Sequence, residues 1–146
     1  WDAVEKIIDW SKTKNDQPHA VPVPSLAAEL IVSIIPNEFG WYFPSANDPS
    51  RSVGHGSLYS FVWRQRDRGV IPYATNRDLR RTFKTLAGKA GLSKEIRDRL
   101  QNHALQDVSS KSYDRWNYMP EKRAAMKKWD AYLRRLLTRK TFKQAA

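Results

Sequence analysis

The chain contains no cysteine, only three histidines and no long apolar run. The absence of cysteine excludes disulfide bonds and thiolate metal sites. Because His19, His55 and His103 are widely separated in sequence, we predict no zinc cluster and no metal cofactor. No stretch approaches the roughly 20 apolar residues that span a bilayer, and the N-terminal residues do not read as a secretion signal. These absences favour a protein of the reducing cytoplasm with no membrane partner.

Positive charge is concentrated in the last two thirds of the chain. The formal net charge is +11, but residues 1–50 contain three basic and seven acidic side chains. Residues 51–146 therefore contain 23 basic and eight acidic side chains, a net charge of +15. A one-sided excess of this size suits a polyanion, because each neutralised phosphate releases counterions. Nucleic acid is the favoured partner. It is preferred to the two alternatives that composition alone does not reject, a ribosome-like RNA contact and an anionic membrane surface.

The length and hydrophobic content predict one domain. Its 146 residues, 40% of them hydrophobic, can bury roughly two thirds of the surface of the unfolded chain. We predict a mostly helical α+β fold, in which a small antiparallel sheet at the N-terminus packs beside five or six helices. The predicted parts are a β-hairpin over residues 1–24, a helical core over 25–119 and a basic C-terminal helix over 120–146.

The first half of the chain predicts a hairpin and two helices. β-prone residues run from Val4 to Trp10 and from His19 to Val23, with a polar turn between them. Ser25 is predicted to cap a core helix that reaches Ile35, where Pro36 helps to end it. The stretch 37–56 reads as a loop with a short buried aromatic run, and a further helix is predicted from Ser57 to Arg66.

Two consecutive helices are predicted around Gly91. The first begins at Asp78 and has an apolar stripe at helical spacing, formed by Leu79, Phe83, Leu86, Ala87 and Ala90. Gly91 suits the C′ position of this helix, and Ser93 suits the N-cap of the next. Ile96 and Leu100 form the buried side of that second helix, and His103 is expected on the same face. Further on, helices are predicted from Asp107 to Trp116 and from Pro120 onward, the last with an apolar face of Ala125, Trp129, Leu133, Leu136 and Leu137.

Three short motifs follow one another in the basic part of the chain. They are Arg77-Asp78-Leu79-Arg80-Arg81-Thr82, then Leu100-Gln101-Asn102-His103, and then Tyr113, ten residues after the histidine. In this order they resemble the active-site boxes of phage integrases and other tyrosine recombinases. That family usually has His-Asp-Leu-Arg-Arg-Thr, then Leu-Gly-His, then a tyrosine nine or ten residues later.

The resemblance extends over nearly the whole chain. Upstream, the sequence around Trp10 to Asn15 and His19 to Val23 is similar to the β-hairpin of the family, in which Lys14 would be the catalytic lysine. Downstream, Tyr113-Asp114-Arg115 and the stretch from Pro120 to Trp129 are most similar to integrases of genomic islands and satellite phages.

The resemblance implies DNA cleavage and rejoining without metal or ATP. Tyr113 would attack the scissile phosphate and form a 3′-phosphotyrosyl ester. Arg80, assisted by His103, would stabilise the charge on the non-bridging oxygens, and Lys14 would protonate the departing 5′ oxygen. The implied partners are double-stranded DNA attachment sites and, in the intact enzyme, three further protomers in a nucleoid-associated tetramer.

Two positions depart from the family pattern. Arg77 stands where the family has a histidine, and a guanidinium cannot accept a proton. Its expected contribution is electrostatic, which leaves the acceptor of the Tyr113 proton open. In the family, the first catalytic arginine lies just upstream of a short segment, and Trp1 resembles the end of that segment. This arginine is therefore absent from the chain. We therefore expect a fragment that lacks the N-terminal DNA-clamping domain. This fragment is expected to bind DNA without cutting it efficiently.

Four more basic residues are predicted to contact DNA. Arg81 and Lys84 lie off the apolar stripe of their helix, while Lys94 and Arg97 lie at the start of the helix after Gly91. Each candidate also has an ordinary explanation in isolation: an arginine on a solvated helix face, a histidine at a helix end, a packed tyrosine or a lysine in a polar turn. The joint order and spacing of the three motifs favour the catalytic interpretation.

Two other functions are compatible with parts of the sequence. Residues 86–96 resemble a helix-turn-helix, with Ser93, Lys94 and Arg97 at the start of a recognition helix. A non-enzymatic regulator of that type would leave the histidine motif and the tyrosine spacing unexplained. An RNA-binding protein is the third possibility, but it predicts a basic N-terminal part, and residues 1–50 are acidic.

Overall fold

The computed structural model describes residues 1–13, 18–54, 56–103 and 116–144. It confirms a mostly helical α+β fold with a two-stranded antiparallel sheet near the N-terminus. The chain forms two compact units, one of Trp1–Glu29 with Lys84–Ala146 and the other of Leu30–Phe83. The elements within the described residues are β1 (Ile7–Trp10), β2 (His19–Pro22), α1 (Ser25–Val32), α2 (Ser57–Asp67), α3 (Asn76–Lys89), α4 (Lys94–Leu100) and α5 (Met119–Gln144).

The predicted hairpin is present, but its first strand is shorter than expected. β1 and β2 pair from Ile7 opposite Pro22 to Trp10 opposite His19. The strand does not begin at Val4, because the Asp2 carboxylate accepts the backbone N–H groups of residues 4 and 5 at 2.9 and 2.8 Å and holds a turn there.

The first helix differs from its prediction at both ends. Ser25 is its first residue, and the N–H of Leu26 is capped by the carboxylate of Asp130 in α5 at 2.7 Å. The helix ends at Val32, three residues before the predicted Ile35. It was also expected to be core, yet Ala28 is buried while Leu30 and Val32 are exposed. The early end follows from a tight turn, in which the N–H of residue 34 donates to the Ile31 carbonyl at 3.1 Å.

The unit formed by residues 30–83 contains α2 and the irregular stretch before it. Asn37 organises that stretch, because its side chain accepts the N–H of Trp41 at 2.9 Å and donates to the Pro49 carbonyl at 2.8 Å. In α2, Val62 is buried, whereas Phe61 and Trp63 are about half exposed. The aromatic run 41–43, predicted to be buried, is exposed at its two outer positions.

The turn between α3 and α4 confirms the predicted roles of Gly91 and Ser93. Gly91 has φ +86°, and the N–H groups of Gly91 and Leu92 donate to the carbonyls of Gly88 and Ala87 at 3.0 and 2.9 Å. This is a Schellman motif, which suits glycine because an L side chain is strained at that φ. The Ser93 side chain then accepts the N–H of Ile96 and caps α4.

Helix α3 begins two residues earlier than predicted, at Asn76. The reason is local, because the Asp78 carboxylate accepts the N–H and hydroxyl of Thr75 at 2.9 and 2.7 Å and so closes the first turn. The apolar stripe is also only partly buried. Ala87 is fully buried, but Leu79 is 57% exposed.

Helix α5 begins at Met119 and packs against β2 and α4. Its predicted apolar face is buried at Ala125 and Trp129, but Leu137 is 52% exposed, so the C-terminal part of that face is not core. Buried core residues of the same unit include Leu92 and Leu100. Among the described residues, none of the helices combines the length and the apolar character needed to cross a membrane.

Candidate catalytic and DNA-binding residues

Arg77, Arg80 and Arg81 lie on the first turns of α3, in the unit formed by residues 30–83. All three side chains are exposed. Arg81 donates to the Asp78 carboxylate at 3.3 Å. Hydrogen bonds from Thr75, chiefly from its hydroxyl, lower the pKa of Asp78 and outweigh its desolvation, with a smaller contribution from Arg81. These arginines present planar donor groups of the kind that bind phosphate oxygens.

His103 lies in the other unit, just past the end of α4. The sequence placed it on the helical face of Ile96 and Leu100, but the helix ends at Leu100 and Asn102 has φ +52°. The N–H groups of Asn102 and His103 donate to the carbonyls of Arg99 and Asp98 at 3.2 and 2.9 Å. His103 is therefore positioned by a second Schellman motif rather than by helical periodicity.

The carboxylate of Asp98 connects His103 to two lysines. Its Oδ1 lies 3.1 Å from His103 Nδ1 and 2.6 Å from Lys84 Nζ, and its Oδ2 lies 3.6 Å from Lys94 Nζ. The Asp98 side chain is 13% exposed. The hydrogen bond from Lys84 is the main cause that lowers its pKa to about 2, with His103 and the lysine charges adding to the effect against desolvation. Asp98 is therefore ionised at neutral pH.

Two of the four residues predicted to contact DNA have intramolecular roles. Lys84 binds Asp98, and the Arg97 guanidinium donates to the Lys84 carbonyl at 2.6 Å and to the Ser93 carbonyl at 3.3 Å. Gly88 leaves room for this arginine, since a Cβ there would lie 3.0 Å from Arg97 Nη1. The other two, Arg81 and Lys94, have side chains that are 69% and 82% exposed.

His103 also lines a cavity of about 540 Å³ between the hairpin, the end of α4 and the start of α5. Trp10 stacks on His19 with ring centroids 5.8 Å apart, and His19 Nε2 lies 3.3 Å from the Leu100 carbonyl oxygen. On the α5 side, Lys122 is 7% exposed and donates to the Ala20 carbonyl at 3.0 Å. Burial, and to a smaller extent the charge of Arg99, lower the pKa of Lys122. The side chains that line this cavity are thus of mixed character, with Arg99 and Lys122, aromatic rings, amides and the Asp9 carboxylate.

The sequence interpretation missed Asp98 and Lys122. Asp98 had a detectable signal, because it lies four residues after Lys94 on a short helix and five before the candidate histidine. Lys122 had none, because its partner is on a strand 102 residues away.

Lys14 and Tyr113 lie outside the described residues, as do His55 and nearly all of the helix predicted from Asp107 to Trp116. Within the described ranges, no three His, Asp or Glu side chains are grouped so as to hold a metal ion. The Asp98 carboxylate thus brings His103 together with Lys84 and Lys94. Arg77, Arg80 and Arg81 lie in the unit formed by residues 30–83.

Comparison of the chain with protein-family models, with curated proteins and with solved structures found no match in any of the three.

Proposed function

We propose that the chain is part of the catalytic domain of a tyrosine-type site-specific DNA recombinase. The observation that carries the proposal is the order and spacing of the Arg77 to Thr82 motif, the Leu100 to His103 motif and Tyr113. A strand-transfer enzyme of this type needs a nucleophile that conserves the energy of the broken phosphodiester bond in a covalent link to the DNA. A tyrosine provides such a link. The expected location is cytoplasmic, on the DNA of the nucleoid.

Cleavage would begin with attack of the Tyr113 oxygen on the scissile phosphate. Negative charge then grows on the non-bridging oxygens, and Arg80 is suited to hold them because its fork of donors matches two oxygens at once. Arg77 adds positive charge one helical turn before Arg80. Lys14 would protonate the 5′ oxygen as it departs.

Several structural features support this proposal. Arg77, Arg80 and Arg81 are exposed on one helical segment, as phosphate-binding side chains must be. His103 is held at a backbone motif and lines a cavity that also includes Arg99 and Lys122. Residues 51–146 carry a net charge of +15, which favours phosphate binding.

A helix-turn-helix regulator is the second candidate, because α3, Gly91 and α4 have the connection that such a motif needs. In that function Arg97 would read DNA from the start of the recognition helix. Its guanidinium instead binds the carbonyls of Lys84 and Ser93. These contacts weaken the recognition role of Arg97, and a regulator also leaves the Leu100 to His103 motif and the spacing of Tyr113 unexplained.

Covalent trapping on a nicked DNA substrate tests the proposal directly. The intact protein should form a complex that resists denaturation, and Tyr113→Phe should abolish it while leaving DNA binding largely unchanged, because only the nucleophilic oxygen is removed. Tyr73→Phe is the matched control, since Tyr73 is 79% exposed and its ring contact with Arg66 survives the change. Binding without any covalent complex would favour the regulator, and normal trapping by Tyr113→Phe would refute the assignment of the nucleophile.

A further inference from the structure

The pairing of Asp98 with His103 follows from the way in which α4 ends. In a Schellman motif the residue after the left-handed position lies beside a residue one turn earlier. Here Asn102 is left-handed, His103 follows it, and the His103 N–H bonds to the Asp98 carbonyl at 2.9 Å. The same two residues meet again through their side chains, with 3.1 Å between His103 Nδ1 and Asp98 Oδ1. Two contacts between one pair of residues restrict both the position and the rotation of the imidazole.

The charge state of Asp98 determines which ring nitrogen carries the proton. Lys84 at 2.6 Å and Lys94 at 3.6 Å keep the carboxylate ionised. An ionised carboxylate can only accept hydrogen bonds, so Nδ1 of His103 must be the donor. A neutral imidazole has a single N–H group, and therefore Nε2 is the nitrogen that gains or loses a proton.

On the basis of the recombinase function, we propose that Asp98 is a positioning residue that holds His103 in its Nδ1–H tautomer. Nε2 then accepts the proton of the attacking tyrosine, in place of the contact with the non-bridging oxygens that the resemblance implies for His103. The chemistry of the candidate residues supports this role. Lys14, Arg77 and Arg80 carry only donor groups when charged, whereas the imidazole of His103 has an acceptor nitrogen. Because Arg77 stands in place of the family's histidine, His103 Nε2 is the proton acceptor that these candidate residues offer.

The proposed step is balanced in bonds and protons. The Tyr113 oxygen forms a bond to phosphorus and its proton passes to Nε2 of His103, while the bond from phosphorus to the 5′ oxygen breaks and that oxygen takes a proton from Lys14. Rejoining reverses both transfers. The charged and titratable groups around Asp98 and His103 are Lys84 and Lys94 on the Asp98 side, and Asp9, His19, Arg99 and Lys122 along the cavity.

Histidine ¹⁵N NMR of the intact protein tests the tautomer without any assay of activity. Two-bond ¹H–¹⁵N correlation spectra, recorded where the ring is neutral, should show protonated Nδ1 for His103, with the signal assigned through His103→Gln. Asp98→Asn should shift His103 toward the Nε2–H form. Glu95→Gln is the matched control, because Glu95 is an exposed carboxylate of the same helix that pairs with Arg99 at 2.9 Å. An Nε2–H ring in the unmodified protein would overturn the proposal, and this reading does not depend on whether Asp98→Asn folds.

Trapping kinetics then connect the tautomer to the reaction. At saturating protein, Asp98→Asn should form the covalent complex roughly 10- to 100-fold more slowly, as expected when a group that orients a proton acceptor is lost. Asp98→Glu should recover part of the rate, because it restores a carboxylate. If the unmodified protein forms the complex and Asp98→Asn forms it equally fast, the positioning role is wrong while the recombinase function stands. If the tautomer is as expected but no complex forms, the recombinase function fails and the part of Asp98 in the mechanism fails with it.

Discussion

At the scale of single residues, the described part of the chain holds the carboxylate of Asp98 nearly buried and stabilises its charge with neighbouring donors. A carboxylate that is 13% exposed loses most of its hydration, and isolated burial would favour the protonated form. The lysines at 2.6 and 3.6 Å and His103 at 3.1 Å replace the lost water with charged or polar donors. The net result is a lowered pKa and an anion that can orient an imidazole.

The lowered pKa of Asp98 predicts a pH-dependent stability. Its pKa falls from 3.8 to about 2 on folding, so its contribution is complete above about pH 4 and is lost as the pH falls toward 2. The shift corresponds to at most about 2 kcal/mol, reduced further by solvent screening. Asp98→Asn should therefore lower the free energy of unfolding at neutral pH, and the difference from the unmodified protein should shrink in acid.

Urea unfolding from about pH 2.5 to pH 7 measures this difference. Glu95→Gln serves as the control, because an exposed pair of this kind contributes only about 0.3 to 0.5 kcal/mol. A difference for Asp98→Asn that stays constant over the whole pH range would show that the ionisation of Asp98 does not stabilise the fold.

At the scale of elements, α4 is short and depends on its two ends. Ser93 accepts the Ile96 N–H at 3.3 Å at the start, and the turn at Asn102 satisfies carbonyls at the end. A helix of seven residues has little stability of its own, so its caps and its packing against α5 matter more than helix propensity. The end of this helix also holds His103, which makes the caps part of the candidate site.

Removal of the N-cap should weaken α4 measurably. We expect Ser93→Ala to lower the free energy of unfolding by about 1 kcal/mol, because one backbone N–H loses its acceptor. Ser93→Asp should retain most of the stability, since aspartate also caps and its charge suits the N-terminus of a helix. Thermal or urea unfolding of the three proteins provides the comparison, and equal losses for Ala and Asp would contradict a capping role.

At the scale of the whole molecule, charged side chains and exposed apolar side chains are distributed unevenly along the chain. The first 50 residues have a net charge of −4, while the remainder carries +15. In the unit of residues 30–83, large apolar side chains such as Leu58, Phe61 and Trp63 are about half exposed. The basic excess predicts DNA binding that weakens steeply with salt, since each phosphate contact contributes about −0.9 to the slope of log K against log salt.

A matched pair of arginines tests which basic residues contact DNA. Arg81 pairs with Asp78 at 3.3 Å and Arg51 pairs with Asp48 at 3.1 Å, each with an acid three residues earlier and each largely exposed. If Arg81 contacts a phosphate, Arg81→Gln should reduce the salt slope by about 1, whereas Arg51→Gln should leave it unchanged. Fluorescence anisotropy at several salt concentrations gives both slopes. Equal slopes for the two variants would remove Arg81 from the predicted interface.

The local elements could be predicted because their signals lie within a few neighbouring residues. Gly91 and Ser93 marked the turn between α3 and α4, since a left-handed residue and a helix cap have strong amino-acid preferences. The hairpin and the fold class followed from β-prone residues, turn residues and helical spacing in the same way. Boundaries were less accurate where a side chain changed the local backbone, as Asp2 did before β1 and Asp78 did at the start of α3.

The sequence by itself determined the order of the elements, the location of the positive charge and the motifs that suggest strand transfer. Only the tertiary structure decided which side chains meet. Lys84 and Asp98 are 14 residues apart, and Asp130 caps α1 from 104 residues away. Hydrogen bonds and ion pairs depend on distances of a few ångströms, and no local pattern encodes such distances between remote residues. For this reason the sequence could suggest His103, but its orientation by Asp98 required the folded chain.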